Sequence, residues 1–270
     1  MNPKLEIDLP DSLLIYKEKI EATIKPFVEI KAKTDDKLLL WQSKFGGVPY
    51  FPKGSQYPID SKGQSMLLLA QINFSETPKL ESFPEKGILQ FYIANGNDVY
   101  GACFENPARQ DDFKVLYFSE VVEDEHFLVT KFDFLPEPNM LPIEKQSSLT
   151  FNLKYAPMSV YDCHFEPTIL NIDSRMRYEL FENYRKVYEE HENLFRSEGH
   201  KLGGYPYFTQ SDPREFGAYK GKEYILLFQM DTDNEAGIMW GDCGIANFFI
   251  SEQDLVSKDF SKVFYNWDCC

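Results

Sequence analysis

Lys44-Phe45-Gly46-Gly47-Val48-Pro49-Tyr50-Phe51 returns later in the chain as Lys201-Leu202-Gly203-Gly204-Tyr205-Pro206-Tyr207-Phe208, with six of the eight positions identical. A self-match of this kind governs every later reading, because a repeated unit must bury its apolar face against its own copy or a neighbour. Three further blocks follow in the same order. Leu67-Leu68-Leu69-Ala70-Gln71 aligns with Ile225-Leu226-Leu227-Phe228-Gln229, and Gly87-Ile88-Leu89-Gln90-Phe91-Tyr92-Ile93 with Gly244-Ile245-Ala246-Asn247-Phe248-Phe249-Ile250. Lys114-Val115-Leu116-Tyr117 aligns with Lys262-Val263-Phe264-Tyr265, at a shorter spacing that puts extra loop residues in the first copy.

Outside these blocks, helical spacing predicts one helix at the head of each copy. Asp11 is a candidate N-cap for a segment reaching about Lys25, with Leu13, Ile20, Ile24 and Phe27 near one face and Pro26 as breaker. From Arg175 to Arg196, Leu180, Tyr184, Val187, Tyr188 and Phe195 recur at helical intervals, with Glu182, Lys186, Glu189, Glu190 and Glu192 mostly off that stripe and Asp173 or Ser174 as cap. Short apolar runs bounded by turn residues predict strands, and Asn95-Gly96 predicts a hairpin from Ile93 into Val99–Phe104. The proline-dense stretch Phe134–Pro142 reads as an extended connector. These elements predict an α+β fold: a helix plus small antiparallel sheet, duplicated, with two lobes sharing a core about a pseudo-twofold axis. The expected division within a single domain 1–270 is a first repeat from about 10 to 135, a connector over 136–172 and a second repeat over 173–270.

Composition bounds the function. The chain of 270 residues carries 28 Lys and Arg against 43 Asp and Glu, a net charge of −15. That balance opposes nucleic acid, whose phosphates need gathered cations. Aromatic residues make up 16% of the chain, enough for a substantial core. Met1–Asp8 carries charge where a secretion signal needs an apolar run, and the best apolar window, Met66–Phe74, is broken by Gln71 and Asn73 and is too short to span a bilayer. Cys103, Cys163, Cys243, Cys269 and Cys270 are an odd set with no disulfide pattern. A reducing cytoplasm and no membrane association are expected.

Two features attract a functional reading. The repeated Gly-Gly-x-Pro-Tyr-Phe loop is explained structurally by positive φ and close backbone approach, or functionally by amides that cradle phosphate beside Lys44 or Lys201. The ligand-binding candidates there are Lys44, Gly46 and Gly47 in the first copy and His200, Lys201, Gly203, Gly204 and Arg214 in the second. Gln229 and Trp240, bordering an acidic loop, complete the set. Within that loop and just after it, Asp231, Asp233 and Asp242 are candidate ligands for calcium, against the alternative of a solvated acidic turn. No other cofactor is expected. His126, His164, His191 and His200 show no helix-face metal spacing, and no Gly-x-Ser-x-Gly elbow is present, so no catalytic residue is assigned. Cys243 and the pair Cys269-Cys270 are read as packing, with redox or zinc chemistry as the alternative.

The stretches Lys201–Arg214, Leu226–Asp233, Met239–Gly244 and Asn247–Ile250, closed by Tyr265-Asn266-Trp267-Asp268-Cys269-Cys270, resemble the YwqG-like family of bacterial proteins. The resemblance runs from the first Gly-Gly loop to the last residue. It implies a cytosolic α+β protein with an internal duplication and carries no reaction, catalytic residue or ligand. The leading functional expectation is therefore a monomeric, non-enzymatic binding protein of adaptor or immunity type that masks a basic protein partner. The competing expectation is a small-molecule or metal-dependent activity in the second lobe, built from His200, Arg214, Asp231, Asp233 and Asp242.

Overall fold

Alternation decides the first long element. Phe27-Val28-Glu29-Ile30-Lys31 turns Val28 and Ile30 into the core while their neighbours stay partly or fully exposed, the period-two pattern of a strand. The computed structural model describes residues 8–173, 176–216 and 219–270. Its strands are β1 (Lys25–Thr34), β2 (Lys44–Phe45), β3 (Leu67–Asn73), β4 (Ile88–Ile93), β5 (Phe113–Phe118), β6 (Ser147–Ala156), β7 (His200–Gly203), β8 (Tyr224–Asp231), β9 (Ile245–Ser251) and β10 (Phe264–Asp268). All ten lie in one antiparallel sheet in the order β10-β9-β8-β7-β1-β6-β2-β3-β4-β5.

The expected pair of small sheets, each headed by a helix, is thereby corrected. The repeated blocks are strands of a single sheet, β2–β5 on one side and β7–β10 on the other, joined through β1 and β6 at the centre. β1 and β6 pair along ten residues, from Lys25↔Ala156 to Thr34↔Ser147. The head of the first copy is two short helices, α1 (Asp11–Leu14) and α2 (Lys17–Ala22), capped by Pro10 rather than Asp11. Pro26, expected to end a helix, is instead the second residue of β1, outside the Phe27–Ile30 stretch that β7 engages. The long helix α3 (Arg177–Leu194) falls where the sequence places one, with Met176 rather than Asp173 at its N-cap, while the other cap candidate Ser174 and the start Arg175 lie outside the described residues. Asn95-Gly96 does not begin a hairpin into Val99–Phe104. The partner of β4 is β5, and the residues between them form turns.

A broad sheet with little helix needs something to cover its faces, and here the sheet covers itself. It bends until Phe91 of β4 stands 4.7 Å from both Phe228 of β8 and Phe248 of β9, and Phe113 of β5 lies 5.2 Å from Tyr265 of β10. β3 and β4 are buried on both faces, as are most of β8 and β9, which is why their sequences read as unbroken apolar runs. The two outermost strands are not left bare. Loop residues 99–110 bridge them: Tyr265 N donates to Pro107 O at 2.9 Å and Trp267 Nε1 to Val99 O at 2.8 Å.

Buried amides fix each Gly-Gly loop to its half of the sheet. Lys44, Gln71 and Gln90 stand side by side across β2, β3 and β4, and Lys201, Gln229 and Asn247 do so across β7, β8 and β9. Gln71 Oε1 accepts from Tyr50 N at 2.7 Å while its Nε2 donates to the carbonyls of Leu40 and Gln42. Gln229 repeats this, accepting from Tyr207 N at 2.9 Å and donating to Ser197 O and Gly199 O. Gln90 donates to Tyr50 O, and Asn247 to Tyr207 O.

Both glycines of each loop have positive φ. At Gly204 (φ 73°) a side-chain carbon would stand 2.7 Å from Phe27 Cβ, whereas at Gly47 the first obstacle is the flexible end of Gln146. Gly204→Ala is expected to cost at least about 2 kcal/mol, and Gly47→Ala less, because only the first meets a fixed atom as well as an unfavourable φ. Urea midpoints of the two variants test that order.

Beside the sheet, α1, α2 and α3 pack on residues 158–170 through Leu13, Ile20, Val187, Tyr188, Phe165 and Ile169. His191 of α3 is fully buried between Phe165 (5.0 Å) and Phe195 (4.7 Å), and neither ring nitrogen has a hydrogen-bond partner. Burial pushes its pKa down to about 4. The unfolded chain takes up this proton near pH 6.5 and the folded chain only near 4, so the contribution is fully present above pH 6.5 and lost as pH falls through that window. The loss amounts to about 3 kcal/mol. Unfolding free energies at pH 7 and pH 4.5 should differ less in His191→Phe than in the parent by that amount; equal differences would remove His191 as the cause.

Candidate functional site

Where β7 begins, its first residue lies between β1 and the turn that leaves β8. His200 pairs with Ile30 of β1, is 6% exposed and packs edge-on to Phe45 at 5.0 Å. Asp231 N donates to its Nδ1 at 3.0 Å, which leaves the ring proton on Nε2, 3.4 Å from Asp233 Oδ2. A cleft of about 650 Å³ opens here, lined by Glu29 and Lys31 of β1, by Arg196, Glu198 and Gly199, and by the turn from Asp231 to Glu235.

The carboxylates in this cleft are already engaged by backbone. Asp231 accepts from Gly199 N (2.7 Å) and Thr232 N (2.8 Å), and burial raises its pKa. Asp233 accepts from Glu235 N and Ala236 N, closing the turn, and the His200 hydrogen bond holds its pKa down to about 2. Lys31 is 3.4 Å from Glu29 and Arg196 is 3.5 Å from Glu198, so both cations of the rim are paired. Lys201 also lines the cleft and interacts with the charge of Asp231, whereas Asp233 and Glu235 have no Lys or Arg ion pair among the described residues, so five carboxylates outnumber three cations in the lining.

The remaining sequence candidates are distributed elsewhere. Lys44 Nζ donates to Leu39 O (2.7 Å) and Val48 O (3.3 Å); Lys201 Nζ donates to Ser197 O and Tyr205 O, the latter at 2.9 Å. Each lysine thus braces its own Gly-Gly loop from within, and burial lowers the two pKa values to about 8 and about 7. Gly46 N is taken by Leu69 O; Gly46 and Gly47 face the proline-dense connector across a separate cleft of about 760 Å³. Gly203 packs near Leu80 and Phe83, and Gly204 packs on Phe27. Gln229 belongs to the buried amide row. Trp240 is core, within reach of Tyr100, Tyr265 and Trp267. Of the three calcium candidates, Asp231 and Asp233 share the His200 cleft, while exposed Asp242 lies on the turn packed against Cys269 and does not line it.

Arg214 is part of a centre the sequence does not reveal. Its guanidinium reaches Asp212 Oδ2 at 2.6 Å, Asp162 Oδ2 at 2.9 Å and Tyr224 O at 3.0 Å, and lies 4.8 Å over the Phe249 ring. All three charged side chains are almost fully buried. Asp162 also receives His164 Nδ1 at 2.9 Å, and Asp212 receives Cys163 N at 3.0 Å. Asp162, Cys163 and His164 are the one group of three metal-type ligands among the described residues, with ligand atoms within 4.8 Å of one another. Burial pushes the Cys163 thiol up, so it stays protonated, and Asp162 is committed to Arg214. Asp162 lies in the stretch assigned to the connector and 52 residues from Arg214, a separation no local pattern spans.

A family model described as a domain of unknown function, DUF1963, matches residues 43–269. The chain belongs to the DUF1963 family. The DUF1963 match takes in both Gly-Gly loops, the His200 cleft and the Arg214 centre, but leaves out β1, the strand that forms one wall of that cleft. No curated protein matches the chain. Among the described residues no helix is long and apolar enough to cross a membrane.

Proposed function

We propose that this protein is a non-enzymatic binding protein that takes a basic segment of a protein partner at the His200 cleft. The observation that carries the reading is the unbalanced charge of the cleft: Asp233 and Glu235 line it without a Lys or Arg ion pair among the described residues, while Lys31 and Arg196 are spent on Glu29 and Glu198 and buried Lys201 lies beside Asp231. The net charge of −15 adds a long-range field of the same sign, which steers cations and repels nucleic acid. Within its family we place the chain with the YwqG-like proteins, on the motifs from Lys201 to Cys270, and expect it to act as a monomer in the cytoplasm.

The test is capture from native lysate on the immobilised protein at low and moderate salt, in parallel with an Asp233→Asn/Glu235→Gln variant. One stoichiometric basic protein, released as salt rises and weakly held by the variant, is the expected result. Capture that survives high salt, or that the variant leaves intact, sinks the reading.

A second reading, a cation or small-molecule site, draws on the convergence of His200, Asp231 and Asp233 in the same cleft. It requires a calcium-dependent rise in Tm that Asp231→Asn/Asp233→Asn abolishes.

A further inference from the structure

A different cleft, of about 560 Å³, lies at the β10 edge, between residues 104–107 on one side and residues 210–216 with Tyr219 on the other. Four aromatic residues line it: Phe104, Phe216, Tyr219 and Trp267. Phe104 and Phe216 are each 55% exposed, an unusual investment of apolar surface in water unless something covers it. Glu105 and Asp268 supply two carboxylates, and no Lys, Arg or His is among the described lining residues.

Part of the polar lining of this cleft is engaged by the protein itself. Trp267 Nε1 donates to Val99 O, and the Tyr219 hydroxyl accepts from Ala108 N at 3.1 Å. Gln210 Nε2 donates to Cys269 O at 2.6 Å, and Asp268 Oδ2 accepts from Gln210 N at 2.8 Å. Tyr219 is fixed by stacking on Phe264 at 4.6 Å, and Trp267 by Tyr100 at 4.8 Å. What remains for a ligand is aromatic surface on a held framework, with the exposed Glu105 carboxylate beside it and Asn106, Ser211 and Asn266 as further polar neighbours.

A bare ammonium ion held against these rings would give up strongly bound water on its aromatic side without an acceptor to replace it there. An alkylated ammonium has little hydration to lose, has an apolar skin that suits the rings, and keeps a charge attracted both by their π faces and by the carboxylates. We infer that the Phe104–Phe216–Trp267 cleft binds a quaternary ammonium group. The inference shares its cationic chemistry with the binding reading above but uses none of the His200 cleft.

The probe is choline, titrated into the full-length protein and followed by the indole N–H resonance of Trp267, with Trp41 and Trp240 as internal references. A saturable shift confined to Trp267 is expected. Phe104→Ala and Phe216→Ala, both at exposed positions, should each weaken it about two- to fivefold, and Glu105→Gln by a smaller factor. The uncharged carbon isostere 3,3-dimethylbutan-1-ol should bind at least about tenfold more weakly. A parallel titration with a trimethyl-lysine peptide distinguishes a free metabolite from a side chain of a protein as the source of the group. Equal binding of the isostere, or no saturable Trp267 shift with either ammonium, overturns the proposal. Loss of lysate capture with the choline shift intact would instead remove the basic-partner reading and leave this one standing.

Discussion

Arg214→Met should lower the unfolding free energy by about 3–5 kcal/mol. The guanidinium faces two carboxylates at 2.6 and 2.9 Å, and removing it leaves Asp212 buried without a cation and Asp162 with only the half-exposed His164 ring beside it. The loss is one of desolvation without compensation, which exceeds the net worth of the pair when whole. Burial alone would raise the Asp162 pKa, but Arg214 and the His164 hydrogen bond outweigh it and hold the carboxyl well below the usual range. A depressed carboxyl stabilises the parent above the unfolded pKa and loses that contribution as pH falls. In the variant the same carboxyl is free to rise and take up a proton, so the gap between variant and parent should narrow from pH 7.5 to pH 5. Denaturant titrations at the two pH values measure it, and a gap below 1 kcal/mol at pH 7.5 would show that water reaches these carboxylates once the arginine is gone.

The second large effect is expected at the buried amides. Gln71→Leu removes the partner of Tyr50 N, Leu40 O and Gln42 O, and Gln229→Leu does the same to Tyr207 N, Ser197 O and Gly199 O. Each buried backbone group left unpaired costs about 1–3 kcal/mol, and allowing for relaxation each variant should lose about 3–5 kcal/mol. Because the two side chains occupy corresponding places beside corresponding loops, the two losses should be of similar size. Amide exchange gives an independent reading: Tyr50 N–H should lose protection in the first variant and Tyr207 N–H in the second, each ahead of global unfolding. Destabilisation below 1 kcal/mol in both would mean that the loops find other partners and that the amides are not what holds them.

The contrast between these two sites shows what the sequence makes legible. Gln71 and Gln229 end matched apolar runs, so self-comparison alone finds them, along with the strands that carry them. β1 was within reach of the same reading, since Val28 and Ile30 alternate with Glu29 and Lys31, but Pro26 and the preceding apolar residues mimic the end of a helix. β6 is harder. It carries few inward side chains, much of it is exposed, and it follows a proline-dense stretch, so neither composition nor periodicity separates it from a connector. Without β1 and β6 the two sets of repeated strands look like separate small sheets. The Arg214 centre was illegible for another reason: Asp212 is a near neighbour of Arg214, but Asp162 comes from a segment 52 residues away, and the three acquire their meaning only from burial. The His200 cleft was half legible, because Asp231 and Asp233 are close in sequence to each other but Glu29 and Glu198 are brought in by pairing of β1 with β7.

That central position of β1 sets the order in which the fold can be completed. A ribosome delivers β1 before the other nine strands described, yet one of its two neighbours, β6, emerges more than a hundred residues later and the other, β7, later still. Until then the β2–β5 strands can pair locally while the strand that must join them to the rest has no register to adopt. Closure of the sheet is therefore a late, long-range event, slow by the measure of contact order, and the nascent chain carries β1 unpaired until β6 and β7 follow.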